Sequence, residues 1–221
     1  MKLSTCRFCN GELTSFCDLG LSPLANSYLS QSQLQDNEAF YPLHAYICKS
    51  CFLVQLEEFE NPENIFHDYA YFSSYSVTWL KHCQNYTDLI VDRFHLGSDS
   101  QVVEIASNDG CLLKCFQGKG IPVLGIEPAK NIAQIAETSG VPTLAEFFNS
   151  QIAKKLAAEG KQADLLMGNN VLAHVPSLND FVRGLKILLK PGGVITMEFP
   201  SLLRLMEENQ FDTIYHEHFS Y

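Results

Sequence analysis

From Gln101 onward the apolar positions switch between two spacings. Val102-Val103-Glu104-Ile105-Ala106 and Val123-Leu124-Gly125-Ile126 are short, nearly continuous apolar runs. Runs of this kind predict strands buried on both faces. Ile132, Ile135 and Ala136 then fall on one helical face, closed by Gly140. Val141-Pro142-Thr143-Leu144 predicts a weak third strand, and Asn149 or Ser150 can cap a helix through Ala158. Asp164-Leu165-Leu166-Met167 predicts a fourth strand. Ser177-x-x-Asp180 has the spacing of a capping box, followed by an apolar stripe of Phe181, Leu185 and Leu188. Pro191-Gly192-Gly193 predicts a turn into a fifth strand, Val194 to Phe199. Strands alternating with helices make an α/β protein with a parallel sheet covered on both faces. Such a sheet binds ligands beyond the carboxyl ends of its strands.

Upstream the pattern changes. Leu80, Cys83, Thr87, Ile90 and Phe94 recur at helical spacing, and Gly97 predicts the stop. The Tyr-, Phe- and Ser-rich stretch before them reads as a connection. Residues 1–60 lack helical periodicity and carry Cys-x-x-Cys pairs, Gly11, Gly20 and Pro23. They hold too few apolar residues for a free-standing core, so a metal staple is expected. The expected organisation is a zinc-binding module at 1–60, a linker segment and helix at 61–98, and a core at 99–221.

Composition narrows the partners. Hydrophobic residues make up 46% of the 221 residues, and the formal net charge is -10. An acidic surface repels phosphate backbones, so nucleic acid is not expected as a partner. No apolar run approaches the ~18 residues of a membrane helix, so no membrane partner is expected. The N-terminus shows no apolar signal stretch, so a cytoplasmic location is expected. Composition says nothing of the oligomeric state.

Eight cysteines are present. Cys6-x-x-Cys9 and Cys48-x-x-Cys51 are separated by 38 residues. Two turns that each present two thiolates suit a closed tetrahedral structural zinc, with no position left for a reacting water. Free cysteines in a small core would not account for two identical gaps. Cys17 is an alternative ligand, but the paired set is preferred.

The loop after the first strand runs Glu104-Ile105-Ala106-Ser107-Asn108-Asp109-Gly110. A dinucleotide fold would place Gly-x-Gly-x-x-Gly here so that a pyrophosphate can approach the backbone. Of that set this loop keeps Gly110, with small or polar residues at 106, 107 and 108. It suits a ligand without a pyrophosphate, such as the amino acid end of S-adenosylmethionine; a plain strand-to-helix turn is the alternative. The second strand ends Gly125-Ile126-Glu127-Pro128, where a carboxylate can accept both hydroxyls of a ribose. The two signals follow in the order and at the spacing, about 20 residues, of nucleotide folds. Glu146 and Phe147 could flank an adenine or simply open the next helix.

With both modules in place, the chain resembles the family of zinc-binding, S-adenosylmethionine-dependent sugar C-methyltransferases. The matching stretches run along almost its whole length. They are Cys6-x-x-Cys9, Leu24-Ala25-Asn26-Ser27-Tyr28, Cys48-x-x-Cys51 with Leu53-Val54-Gln55-Leu56, and Tyr71-Phe72-Ser73-Ser74. Then come Glu104 to Gly110, Gly125-Ile126-Glu127-Pro128, Asn169-Asn170-Val171-Leu172-Ala173-His174 and Tyr215-His216-Glu217-His218. The resemblance implies a Rossmann-like class I methyltransferase core, cofactor contacts that include Glu104, Asn169 and Asn170, and a nucleotide-linked keto-deoxysugar methylated at the carbon beside its ketone. It also implies two further strands and a C-terminal domain, so the chain is expected to be a truncated form. Ala106 stands where many methyltransferases have glycine, and slight crowding is expected there.

That chemistry needs a base for the proton alpha to the carbonyl, and a donor for the enolate oxygen. His218 is the expected base, Glu217 its orienting or charge-balancing partner, and Tyr215 the donor. By resemblance Tyr71 belongs to the substrate pocket. His174 is the rival base, and His216 is expected to face away from His218. Methylation of oxygen or nitrogen on another small molecule, and a zinc-dependent binding module without activity, are the competing readings.

Overall fold

The computed structural model describes residues 5–59 and 72–221, and Tyr71 lies outside them. The chain divides into two compact units, each with its own core. One takes the described residues of Met1–Ile65 together with Leu172–Leu178 and Phe199–Tyr221. The other takes those of Phe66–Val171 and Asn179–Glu198.

The first unit is built on an antiparallel sheet of β1 (Leu13–Ser22), β2 (Tyr41–Cys48) and β3 (Val54–Leu56), in that order. Leu43, Ala45, Val54, Leu56 and Ile214 form its core, with Phe16, Cys17 and Tyr221 packed around them. Cys17 is thus a core-edge residue, and the four thiol groups that come together do not include it. The segment 215–221 lies along β3. The Leu56 N–H donates to the Phe219 carbonyl at 3.2 Å, and the Tyr221 N–H to the Val54 carbonyl at 2.9 Å. These bonds satisfy the open side of a strand that is otherwise paired only to β2.

The second unit opens with α1 (Val77–Phe94), capped by the Ser76 hydroxyl, which accepts the Trp79 N–H at 3.2 Å. The helix stops at His95 and not at Gly97. His95 takes the left-handed conformation (φ 53°), and the Leu96 N–H closes on the Val91 carbonyl. The Gly97 N–H is instead held by the Ser100 hydroxyl at 3.0 Å.

Five strands follow: β4 (Val102–Ile105), β5 (Val123–Ile126), β6 (Thr143–Leu144), β7 (Ala163–Asn169) and β8 (Leu189–Glu198). They pair in parallel in the order β6-β5-β4-β7-β8. Helices α2 (Cys111–Gln117), α3 (Lys130–Thr138), α4 (Ser150–Ala158) and α5 (Leu178–Leu188) connect them. Val102, Leu113, Phe116, Val123, Leu165 and Met167 fill the core with Cys83 and Ile90 of α1. Strand order steps outward in both directions from β4, so the loops after β4 and β7 leave the sheet side by side, at a switch point.

Local structure departs from the expectation at three places. The Asp180 carboxylate does not close a capping box at its own helix. It accepts the N–H and hydroxyl of Ser150, at 3.0 and 2.6 Å, at the start of α4. The third strand shrinks to Thr143–Leu144. Pro191-Gly192-Gly193 forms a bulge, after which regular pairing resumes at Leu165 with Val194.

Candidate functional site

The four cysteines meet in the first unit. All four Sγ atoms lie within 4.8 Å of one another. Cys6 and Cys51 are 3.6 Å apart, Cys9 and Cys48 3.5 Å. Zinc–sulfur bonds of about 2.3 Å in a tetrahedron place sulfurs a little under 4 Å apart, so the four thiols fit a zinc ion. Donors already point at the sulfurs: the Ser50 N–H at 3.4 Å from Cys48, and the Gln55 amide at 3.3 Å from Cys6. The backbone N–H of Cys51 leads in drawing the Cys48 thiol down to about 6. At Cys51 the Leu53 backbone favours the thiolate, yet burial and the neighbouring thiols push it up to about 12. Thiols this close do not ionise together without a cation among them.

The loop after β4 is the centre of the second unit. Ala106 and Asn108 both take left-handed backbone conformations, at φ 55° and 50°. Gly110 (φ 75°) starts α2, where an added Cβ would meet the Val141 side chain at 3.0 Å. The Glu127 carboxylate accepts the N–H of Asn108 and of Ala129, both at 2.9 Å. It is a brace between the two loops, and it retains a second lone pair on each oxygen for a ligand. Burial pushes its pKa up. Glu104 is more deeply buried. Burial and then nearby Cys111 raise it well above the usual carboxylate range, while the Asn169 amide, 3.2 Å away, opposes them. Among the described residues, its second oxygen is buried without a hydrogen-bond partner. A buried acceptor lacking a donor costs free energy, and a cofactor ammonium is a donor that would satisfy it.

The remaining expected contacts separate. Asn170 (φ 51°) is exposed, and its N–H donates to the Glu198 carbonyl at 2.8 Å. Glu146 and Phe147 are exposed. It is the next residue, Phe148, that packs, edge-on against Phe181 at 5.3 Å. The cofactor loop has anchors the sequence reading did not identify. Asn108 and Asp109 accept the N–H groups of Ser73 and Ser74 at 2.9 and 3.0 Å. The small hydroxyl residues of Tyr71-Phe72-Ser73-Ser74 were the available signal, but nothing in them names the partner.

The imidazoles gather in the first unit. His218 Nε2 is 3.0 Å from the Tyr215 hydroxyl, and its ring is 4.7 Å from that of His174. Burial, helped by His174, pushes His218 down to about 3, although the Thr213 backbone favours the charged form. Burial likewise takes His174 to about 4, against the pull of the Glu217 backbone. Both rings are therefore neutral at pH 7. The Glu217 side chain turns to Asn26, whose amide donates at 2.8 Å, and no bond from it to His218 is formed. Its other oxygen is buried with no hydrogen-bond partner among the described residues, and burial raises the pKa of the carboxyl. His216 faces the opposite way, 3.1 Å from the Pro42 carbonyl and edge-on to Tyr41. Asn26 belongs to Leu24-Ala25-Asn26-Ser27-Tyr28, and its sequence position gave no sign of this role.

Known proteins share these parts. Residues 6–66 match the family described as "Putative zinc binding domain", and residues 79–221 match the family described as "Methyltransferase domain". The C-methyltransferase NovU of Streptomyces niveus is 34% identical over 220 residues, covering 99% of this chain and 52% of that protein. The ubiquinone biosynthesis O-methyltransferase of Roseobacter denitrificans is 33% identical over 98 residues, 42% of this chain and 38% of that protein. The chain thus spans about half the length of NovU. A SAM-dependent methyltransferase from Archaeoglobus fulgidus shares the fold, with TM-score 0.51 and 17% identity over 63% of this chain and 61% of that one. A four-thiol cluster and a parallel sheet of order β6-β5-β4-β7-β8 with a glycine-poor first loop, together with these matches, place the chain in the methyltransferase-domain family, as a class I S-adenosylmethionine-dependent fold with an N-terminal zinc module.

Proposed function

We propose that the chain is part of a C-methyltransferase acting on the carbon alpha to the ketone of a nucleotide-linked deoxysugar, through an enolate. The carrying observation is the Tyr215–His218–His174 cluster, with His218 buried and the other two half-buried. A base must be unprotonated at working pH, and burial keeps both imidazoles neutral. S-adenosylmethionine, when bound, supplies an electrophilic methyl group. Glu104, Asn169, the Ala106–Gly110 loop and Glu127 are the residues that would hold it.

In this reading the His218 imidazole takes the alpha proton, and the Thr213 backbone steadies the imidazolium. Once His218 carries the alpha proton, its ring N–H can donate to the Tyr215 oxygen, 3.0 Å from Nε2, which lets the one Tyr215 proton turn to the oxygen on which negative charge develops. Glu217, held by Asn26, offers its other oxygen to a substrate hydroxyl. The name C-methyltransferase carried by NovU supports attack by carbon.

The test is exchange of the alpha hydrogen of nucleotide-linked keto-deoxysugars in deuterium oxide, with S-adenosylhomocysteine present. Exchange is expected, and its loss in His218→Ala while S-adenosylhomocysteine still binds. Exchange that survives in His218→Ala moves the base elsewhere. Methyl transfer without any exchange points to oxygen or nitrogen as the acceptor.

A further inference from the structure

We infer that Arg7, inside the first zinc turn, is a positioning residue that sets the placement of His174 and His218. The inference rests on the reading of those histidines as the acid–base pair. Arg7 lies between two zinc ligands, in Cys6-Arg7-Phe8-Cys9. Its side chain turns inward and donates to the Leu56 carbonyl at 2.5 Å and to the Pro176 carbonyl at 3.1 Å. The guanidinium also lies over the Phe219 ring, 5.4 Å from its centre.

Those three contacts bracket the histidines. Pro176 follows His174 by two residues, and Phe219 follows His218 directly. The two segments are also tied to each other, because the Phe219 N–H donates to the Ala173 carbonyl at 2.6 Å. One cation therefore joins β3 to both histidine-bearing segments. A planar fork with fixed donor directions can hold two carbonyls and a ring at once, whereas a lysine ammonium cannot.

The zinc turn fixes Arg7 in its turn. The Arg7 N–H donates to Gln55 Oε1 at 2.9 Å, and the same amide donates to Cys6 Sγ at 3.3 Å. Gln55 is completely buried and bridges to Ser220, beyond His218. A zinc ligand, its hydrogen-bonding neighbour and the histidine segments thus form one bonded chain. Outer partners of metal ligands commonly orient what lies around a site.

The test uses the zinc-loaded chain with its histidines labelled with nitrogen-15, as wild type, Arg7→Lys and Arg7→Met. The imidazole resonances report placement without any need for turnover. The result expected is one zinc per chain and unchanged affinity for S-adenosylhomocysteine in both variants. The His174 and His218 signals shift, and their pKa values move up toward the ordinary histidine range. The His44 signal stays in place as the control. Hydrogen exchange at the Phe219 amide becomes about tenfold faster in Arg7→Met. His174 and His218 signals that superimpose on wild type in a zinc-loaded variant would overturn the proposal. So would loss of zinc from both variants, which would make Arg7 a stabiliser of the metal turn. Failure of the catalytic reading shows separately, as alpha-hydrogen exchange that survives in His218→Ala.

Discussion

Ala106 is the residue under most local strain in the cofactor loop. Its backbone is left-handed, at φ 55°, while its N–H is committed to the Ile126 carbonyl at 2.8 Å. An L-residue there pays about 1–2 kcal/mol. Ala106→Gly removes that strain and returns roughly 0.4–1 kcal/mol of it through a freer unfolded chain. The variant is expected to melt at the same temperature or slightly higher in calorimetry. A clear fall in the midpoint would refute the strain account. The residue and its place in the loop were legible from sequence, but the sign of φ was not, because the Ala106 N–H bonds to Ile126 on another strand. The buried histidines carry a second prediction at this scale. Their folded pKa values, about 4 for His174 and about 3 for His218, lie below the ordinary 6.5. Their contribution is therefore present above pH 6.5 and is lost as pH falls toward 4 and 3. Glu104 and Glu217, raised by burial, work in the opposite sense, so the comparison must isolate one group. Urea unfolding at pH 7 and pH 5 should show wild type losing roughly 2 kcal/mol more than His218→Gln. Equal losses would mean that His218 titrates normally.

Between elements, the close approach of β4, β5 and β6 depends on what Gly125 lacks. A Cβ added there would collide with Ser107 Oγ and stand 3.1 Å from Thr143 Oγ1. Gly125 sits in mid-strand, paired with Glu104 on one side and Thr143 on the other. Gly125→Ala must push the loop after β4 away from the sheet, at about 1–3 kcal/mol by the usual cost of overpacking. Ser107→Gly in the same chain removes the nearest contact and should restore part of the loss in denaturant unfolding. No recovery in the double variant would place the damage elsewhere. The same elements show what periodicity can reach. Four of the parallel strands were legible as apolar runs: burial on both faces leaves little else possible in β4, β5 and β7, whereas β8 at the sheet edge is only half-buried. Their ends were less so. The helix stop at His95 and the Asp180 bond to Ser150 depend on partners that no local pattern announces.

Across the whole chain, the largest gap between sequence order and structure concerns the last residues. Phe199–Tyr221 follows the final strand in sequence, yet it belongs to the unit that holds the four cysteines. No periodicity could show this, because the bonds responsible are few and long-range: Leu56 to Phe219, Tyr221 to Val54 and Asn26 to Glu217. The cysteine spacing, by contrast, picked out the four thiols that come together, since metal geometry is written in short loops. This arrangement makes zinc responsible for more than its own turns. The core of the first unit is small, centred on Leu43, Ala45, Val54, Leu56 and Ile214. Structural zinc supplies on the order of 10 kcal/mol in comparable small modules, more than such a core can replace. Removing zinc with a strong chelator is therefore expected to abolish the fixed imidazole signals of His174 and His218, although neither binds the metal. The chain's one tryptophan, Trp79, packs against the core of the other unit and reports on that core separately by its emission. Histidine signals that persist once metal analysis shows no zinc would mean that the module stands without its staple. Signals lost on chelation and regained when zinc is returned would assign the order of the histidine cluster to the metal turns, acting through the neighbours of their thiols, Arg7 and Gln55.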